Sequence, residues 1–151
     1  MDDKQTDVVI AFGFIHALLR NGTKIHRIIE PPDIKLVTQN KSAGDFFKGG
    51  PIIILPGSKQ TFLQVHQSFP TVSFDTLWKE FTSNRVFTIN KPTSILLIKG
   101  SANWGDTELL LDKMKIPYKM TTTTAINGNP DILMGYDLAI DDCGGWDTEY
   151  G

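Results

Sequence analysis

Apolar residues along this chain fall into three patterns, and each predicts a different element. From Val8 to Leu19 they are nearly continuous. Asp7 stands where a helix would be capped and Gly22 where it would end in the left-handed conformation, so the stretch reads as a helix. Phe12, Phe14 and Ile15 leave that helix little polar face, so it is expected to be buried on several sides. Lys24 to Glu30 (KIHRIIE) reads as a strand stopped by Pro31-Pro32. Beyond it, DIKLV suits a short strand, and QNKSAGDFFKGG reads as a surface loop carrying two phenylalanines.

The second pattern begins at Pro51, where PIIIL is followed by a glycine turn and a helical spacing through Phe62, Leu63, Val65 and His66. The same grammar returns at Ser94 in SILLIKGSANWGDTELLLDKMKI. Aligning Ile52 with Ile95 sets Gly57 against Gly100 and Ser58 against Ser101. An aliphatic run without alternation is the mark of a strand covered on both faces, which implies helices packed on a parallel sheet. TVSFDTL and RVFTI follow the first unit; YKMTT and YDLAID follow the second. Pro70 and Pro117 mark the joints from helix to strand. Two such β-α-β units predict an α/β fold: an open, doubly wound, mostly parallel sheet with helices on both faces. Phe74 to Phe81 (FDTLWKEF) also fits the third pattern, a helical spacing at Phe74, Leu77, Trp78 and Phe81, so that run reads either way.

The organisation expected is one α/β domain over 1–151: a helix-strand lead-in (1–50), a first β-α-β unit (51–93) and a second (94–151). The Val8–Leu19 run is about 12 residues where a spanning helix needs roughly 20, so no membrane span is expected. The acidic MDDKQTD before it does not suit a secretory leader. A cytoplasmic location follows if Met1 is the natural start, and an extracellular or envelope location if the chain is an excised domain. Lys and Arg total 15 against 17 Asp and Glu, too balanced a charge to draw in nucleic acid. The single cysteine excludes an intrachain disulfide framework and a multi-cysteine metal site.

In an open parallel sheet, ligands sit beyond the carboxyl ends of the strands. There the sequence would gather Gly57, Ser58, Gly100, Ser101, Asn103, Trp104 and Gly144 as candidate ligand-binding residues, with Trp104 and Trp146 as flat stacking surfaces. GSANWGD lacks the endings of a P-loop and of a dinucleotide fingerprint, and Asp106 and Glu108 in the next helical turn would repel an anion. A tight turn with a self-capped helix is the plainer reading, and no cofactor is expected. Cys143 is the one candidate nucleophile. However, His16 falls in the apolar helix, His26 in a strand and His66 in a helix, so none is placed as its base. Asp141, Asp142, Asp147 and Glu149 are candidate hard-metal ligands, although their spacing is not that of a calcium loop.

Ile95 to Gly100 (ILLIKG), Thr107 to Tyr118 (TELLLDKMKIPY) and Gly135 to Gly145 (GYDLAIDDCGG) resemble the class I glutamine amidotransferase-like superfamily, particularly its non-catalytic members. Gly13 to Gly22 and Gly49 to Ile53 are similar to the region preceding such a domain in large microbial surface proteins. The resemblance implies an α/β sandwich and an extracellular or envelope-associated parent. An amidotransferase also needs a nucleophile elbow and a later histidine and acid, which the chain does not supply after YDLAID. The expected role is therefore a non-catalytic binding or assembly domain. The alternatives are a hydrolase or amidotransferase-like enzyme using Cys143 with a base from a partner chain, and a small-ligand or metal module. A sheet ending at YDLAID would leave an apolar face and an edge to be covered, so a homo-oligomer, a filament-like assembly or further domains of the same polypeptide are expected.

Overall fold

Asp7 opens the first helix, α1 (Val8–Arg20), by accepting the Ile10 amide at 3.1 Å. At the other end the Thr23 and Gly22 amides donate back to the Leu18 and Leu19 carbonyls, each at 3.0 Å, with Gly22 at φ +77°. That is the paired closure a left-handed glycine permits, so both ends of the helix lie where the sequence sets them. Ala11, Phe14, Leu18 and Leu19 are buried, whereas Phe12 is half exposed. Gly13 and His16 are buried as well, and only Val8, Phe12 and Arg20 are exposed, so the helix is covered on several sides.

This computed structural model describes residues 7–29, 34–39, 41–47, 51–80, 82–83, 85–100 and 105–141. The chain forms two compact units, Met1–Pro92 and Thr93–Gly151. In the first, α1 leads into β1 (Ile25–Ile28), then β2 (Ile34–Thr38), β3 (Lys41–Phe47), β4 (Ile52–Ile53), α2 (Lys59–His66) and β5 (Val86–Ile89). β1 is the middle strand, with β4 and β5 on either side, both antiparallel to it. The Ile28 amide donates to Pro51 at 3.1 Å and the Ile29 amide to Arg85 at 2.9 Å. The alternation of an antiparallel ladder therefore turns the even positions of β1 toward β4 and the odd ones toward β5. On one face, Phe14, Leu18 and Leu19 of α1 and Val65 of α2 pack with Ile25, Phe69 and Val72. On the other, Ile28 packs with Leu36, Ile53 and Leu77.

One expectation changes here, and one run that read either way takes a single form. KSAGDFF is not a loop but β3, which pairs antiparallel with β2 through Thr38↔Lys41 and Ile34↔Phe47. A two-residue connection makes this pairing local, so it forms despite the weak alternation of the sequence. The FDTLWKEF run is extended where it is described: Leu77 bridges Thr38, the Gln39 amide donates to Thr76 at 2.7 Å and the Trp78 amide to Val37 at 3.0 Å. The edge of β2 supplies hydrogen bonds that an isolated helical turn could not match.

The second unit runs β6 (Ile95–Lys99), α3 (Asp106–Met114), β7 (Tyr118–Thr122), α4 (Thr123–Gly128), a 3-10 segment at Pro130–Gly135 and β8 (Leu138–Asp141). Its sheet is parallel in the order β7-β6-β8. Ile95, Leu96, Leu97 and Ile98 of the central strand are all buried, as an unbroken aliphatic run predicts. Against this sheet Leu111 and Ile116 pack with Ile95, alongside Met114, Tyr118 and Ile140.

The architecture is therefore mixed α/β with small sheets of both kinds, and the single sheet expected from the sequence is corrected. Ile95 and Leu138 are parallel register partners, but Ile52 lies in another sheet, opposite Arg27 in an antiparallel pair. β4 and β5 do run the same way and are joined through α2, so the β-α-β grammar is present with β1 inserted between its strands. A run of apolar residues specifies burial but not the neighbour it pairs with.

The end of α3 carries a testable strain. Lys115 sits at φ +55° while its amide and that of Ile116 close the helix onto Asp112 and Leu111, at 2.9 and 3.0 Å. A side chain with a Cβ is unfavourable in this conformation. Replacing Lys115 by glycine is expected to stabilise the chain by about 0.5–1 kcal/mol, less than the full relief because glycine loses more entropy on folding. Urea unfolding curves for K115G and the parent check this.

Candidate functional site

In the second unit the carboxyl ends of β6 and β8 lie side by side, and β6 feeds the N-terminus of α3. This is the position at which open parallel sheets hold ligands. Lys99, the last residue of β6, does not present a free charge there: its Nζ pairs with Glu108 Oε2 at 2.7 Å. Glu108 belongs to the first turn of α3 with Asp106, and Gly105 precedes the helix at φ +76°. Both carboxylates complement the helix dipole, and together they disfavour an anion at this end. The phosphate reading of the loop thus meets the same obstacle in the structure as in the sequence.

Asp141 ends β8, and both its carboxylate oxygens are shielded from solvent without a hydrogen-bond partner. A shielded carboxylate left unpaired costs free energy, so this oxygen pair favours any donor or cation brought to it. Gly100, partly buried, follows the last residue of β6. Among the described residues no group of three or more His, Cys, Asp or Glu side chains gathers to hold a metal.

Among the other candidates that the structure describes, Gly57 and Ser58 belong to the first unit. Gly57 and Ser58 lie in a 3-10 turn, Pro56–Ser58, that leads from β4 into α2, and Ser58 makes no side-chain capping bond. Since β4 belongs to the antiparallel sheet, the common parallel rim that would have joined them to Gly100 is not formed. Ser101, Asn103, Trp104, Asp142, Cys143, Gly144, Trp146, Asp147 and Glu149 lie outside the described residues.

Polar residues at the amino ends of the three strands have structural partners. At the amino ends of β6 and β8, the Ser94 amide and hydroxyl both donate to Asp137 Oδ2 at 2.9 Å, and the Asp137 amide donates to Ser94 Oγ at 3.0 Å. This reciprocal bracket fixes the parallel register from the end opposite the carboxyl edge of the sheet. Tyr118 donates its hydroxyl to Asp112 at 3.1 Å. Desolvation by burial, then the bond to Asp112 and the negative charges of Asp112 and Glu108, hold its phenol above the ordinary value of 10.0. The sequence signal for the bracket was present in a serine just before one strand and an aspartate just before the other, but no spacing rule links them.

The histidines are also part of the fold. His26 Nδ1 meets Thr88 Oγ1 at 3.0 Å across the β1–β5 pair. His66 Nε2 donates to the Val72 carbonyl at 2.8 Å, and since a carbonyl only accepts, the proton is on that nitrogen. Its ring stacks on Phe62 and meets Phe14 and Phe74 edge-on. His16 is buried on α1. No helix among the described residues is long and apolar enough to cross a membrane. Comparison with protein-family models, curated proteins and solved structures finds no match.

Proposed function

We propose that this chain is a non-catalytic α/β domain used for binding or assembly. The observation that carries the proposal is how the chemistry-bearing side chains among the described residues are used, the Asp141 carboxylate excepted. Lys99 is paired with Glu108, Tyr118 with Asp112, Asp137 with Ser94, and His26 and His66 with Thr88 and Val72. A general base needs a nitrogen or oxygen within reach of the proton it takes, and these groups are directed at the fold's own strands and helices. At the same time the chain exposes Val86, Phe87, Met120 and Leu138 on strands that end their sheets, where a partner could be received.

The β7-β6-β8 order also supports an amidotransferase-like arrangement for the second unit. It is the 2-1-3 beginning of a doubly wound sheet, and right-handed crossovers would set α3 and α4 on opposite faces. Further domains of the same polypeptide, or further copies, would extend that sheet past β8.

The test is the reactivity of Cys143. Slow labelling by a thiol reagent at neutral pH, at the rate of an ordinary cysteine, is the expected outcome. Fast, selective labelling would mark an activated thiolate and favour an enzyme that uses Cys143 with a base from another chain.

A further inference from the structure

We propose that Asn127, in the last turn of α4, is a site of spontaneous deamidation in the folded chain, and that Asn21, which has the same following residue, is protected by the fold. Two asparagines of the chain precede glycine, in Asn21-Gly22 and Asn127-Gly128. Glycine has no Cβ, so its amide nitrogen comes closest to the side chain before it. In the reaction the Gly128 amide gives its proton to water and its nitrogen bonds to Asn127 Cγ. The Cγ–Nδ2 bond breaks, ammonia leaves with a proton taken back from water, and a cyclic imide remains. Water then opens either carbonyl of the ring, giving aspartate or isoaspartate. Asn129 cannot follow this route, because Pro130 after it has no amide hydrogen.

The attack needs the asparagine backbone to leave its folded conformation, so the contrast between the two sites lies in what must open. Asn21 Nδ2 donates to the Ala17 carbonyl at 2.8 Å, and the Gly22 amide donates to Leu19 at 3.0 Å. Leu18, Leu19, Thr23 and Ile25 around them are all buried. Ile25 begins β1, the middle strand of its sheet. Opening at Asn21 therefore takes apart the end of α1 and the start of β1, which is the core of the first unit.

Asn127 and Gly128 are both exposed, and α4 is six residues long with Ile126 as its one buried residue. A helix this short gains little from its own hydrogen bonds. Its last turn is closed by the Asn129 amide, shared between the Ala125 and Ile126 carbonyls at 3.0 and 3.1 Å. Such a turn opens locally, without unfolding of the unit that carries it. The product sets a negative charge at the carboxyl end of α4, where the helix dipole disfavours it. Isoaspartate also adds a methylene to the backbone between β7 and β8, so this connection loosens as the chain ages.

Incubation of the full chain in mildly alkaline buffer, with peptide mapping by mass spectrometry over time, tests this. Asn127 is expected to convert to the two acids at least about ten times faster than Asn21, because local opening is more frequent than opening of a core. In chain unfolded by urea the two rates should converge. A Cβ on Gly128 would meet nothing within 4 Å, and Gly128 is not in the left-handed region. G128A should therefore keep the parent's far-ultraviolet circular dichroism and slow the reaction at Asn127 by about tenfold, since the added methyl group hinders the attacking nitrogen. F14A, which loosens the first unit, should speed Asn21 and leave Asn127 unchanged.

An Asn127 that stays intact in the folded chain, or that reacts no faster than Asn21, overturns the proposal. So does an unchanged rate in a folded G128A, which would mean that the Gly128 amide is not the attacking group. If G128A loses its circular dichroism, the parent and F14A decide. A rise at Asn127 in F14A that matches the rise at Asn21 would mean that both react from the unfolded chain, and the protected and unprotected sites would then be no different.

Discussion

Replacing Phe14 by alanine is expected to destabilise the first unit by about 3–5 kcal/mol, the range for a large aromatic removed from a core. Phe14 is 4% exposed and joins the two helices. Its ring meets Phe62 edge-on at 5.1 Å, His66 at 5.8 Å and Phe69 at 5.8 Å. Removal therefore leaves a cavity beneath α2 and also takes away the ring against which His66 is held while it donates to Val72. Phe74 is the control: it touches the same cluster, with its centroid 4.6 Å from Phe62, but is half exposed. F74A is expected to cost about 1–2 kcal/mol, since less area leaves water when the chain folds. Urea denaturation of the two variants, followed by hydrogen exchange at the α1 and α2 amides, measures the difference. Equal losses in F14A and F74A would show that Phe14 is not the hinge of this cluster.

How much of this was legible before the structure depends on whether the information was local. Asp7 and Gly22 bound α1 because a cap and a left-handed glycine act within one turn. ILLIK reads as a doubly covered strand, and it is one, because four consecutive aliphatics leave no solvent face. PIIIL presents the same sequence face, yet β4 is two half-buried residues at the edge of an antiparallel sheet. The strand that pairs with it, IHRI, sets a histidine and an arginine between its two isoleucines, so nothing in its composition announces the centre of a sheet. Pairing partners are tertiary information, and the apolar pattern does not hold it.

The site shows the same division. Glu108 was legible as an acid in the first turn of α3, but its pairing with Lys99 was not. The shielded Asp141 carboxylate was named only as one acid in a cluster, since its burial arises from packing at the end of β8. Gly57 and Ser58 were grouped with Gly100 through a repeat that is real in sequence but serves two different sheets.

Leu97→Ala should be the corresponding lesion in the second unit, at a cost of about 2–5 kcal/mol. Leu97 is fully buried in the central strand, with Met120 and Ile140 as its register neighbours on β7 and β8. A methyl group at this position leaves a void at the point where all three strands meet, and a central strand has no edge along which the sheet can close up. Leu97→Ile keeps the volume and is expected to cost less than about 1.5 kcal/mol. Leu138→Ala, on the exposed end strand, should stay within roughly 0.5 kcal/mol in the monomer. The ordering also bears on β8, because β6 is the strand through which β8 is held. Hydrogen exchange should therefore show faster opening of the β6 and β8 amides in L97A, with the β1 amides serving as the internal reference. A loss in L97A no larger than that in L138A would mean that the parallel sheet is not the core of this unit.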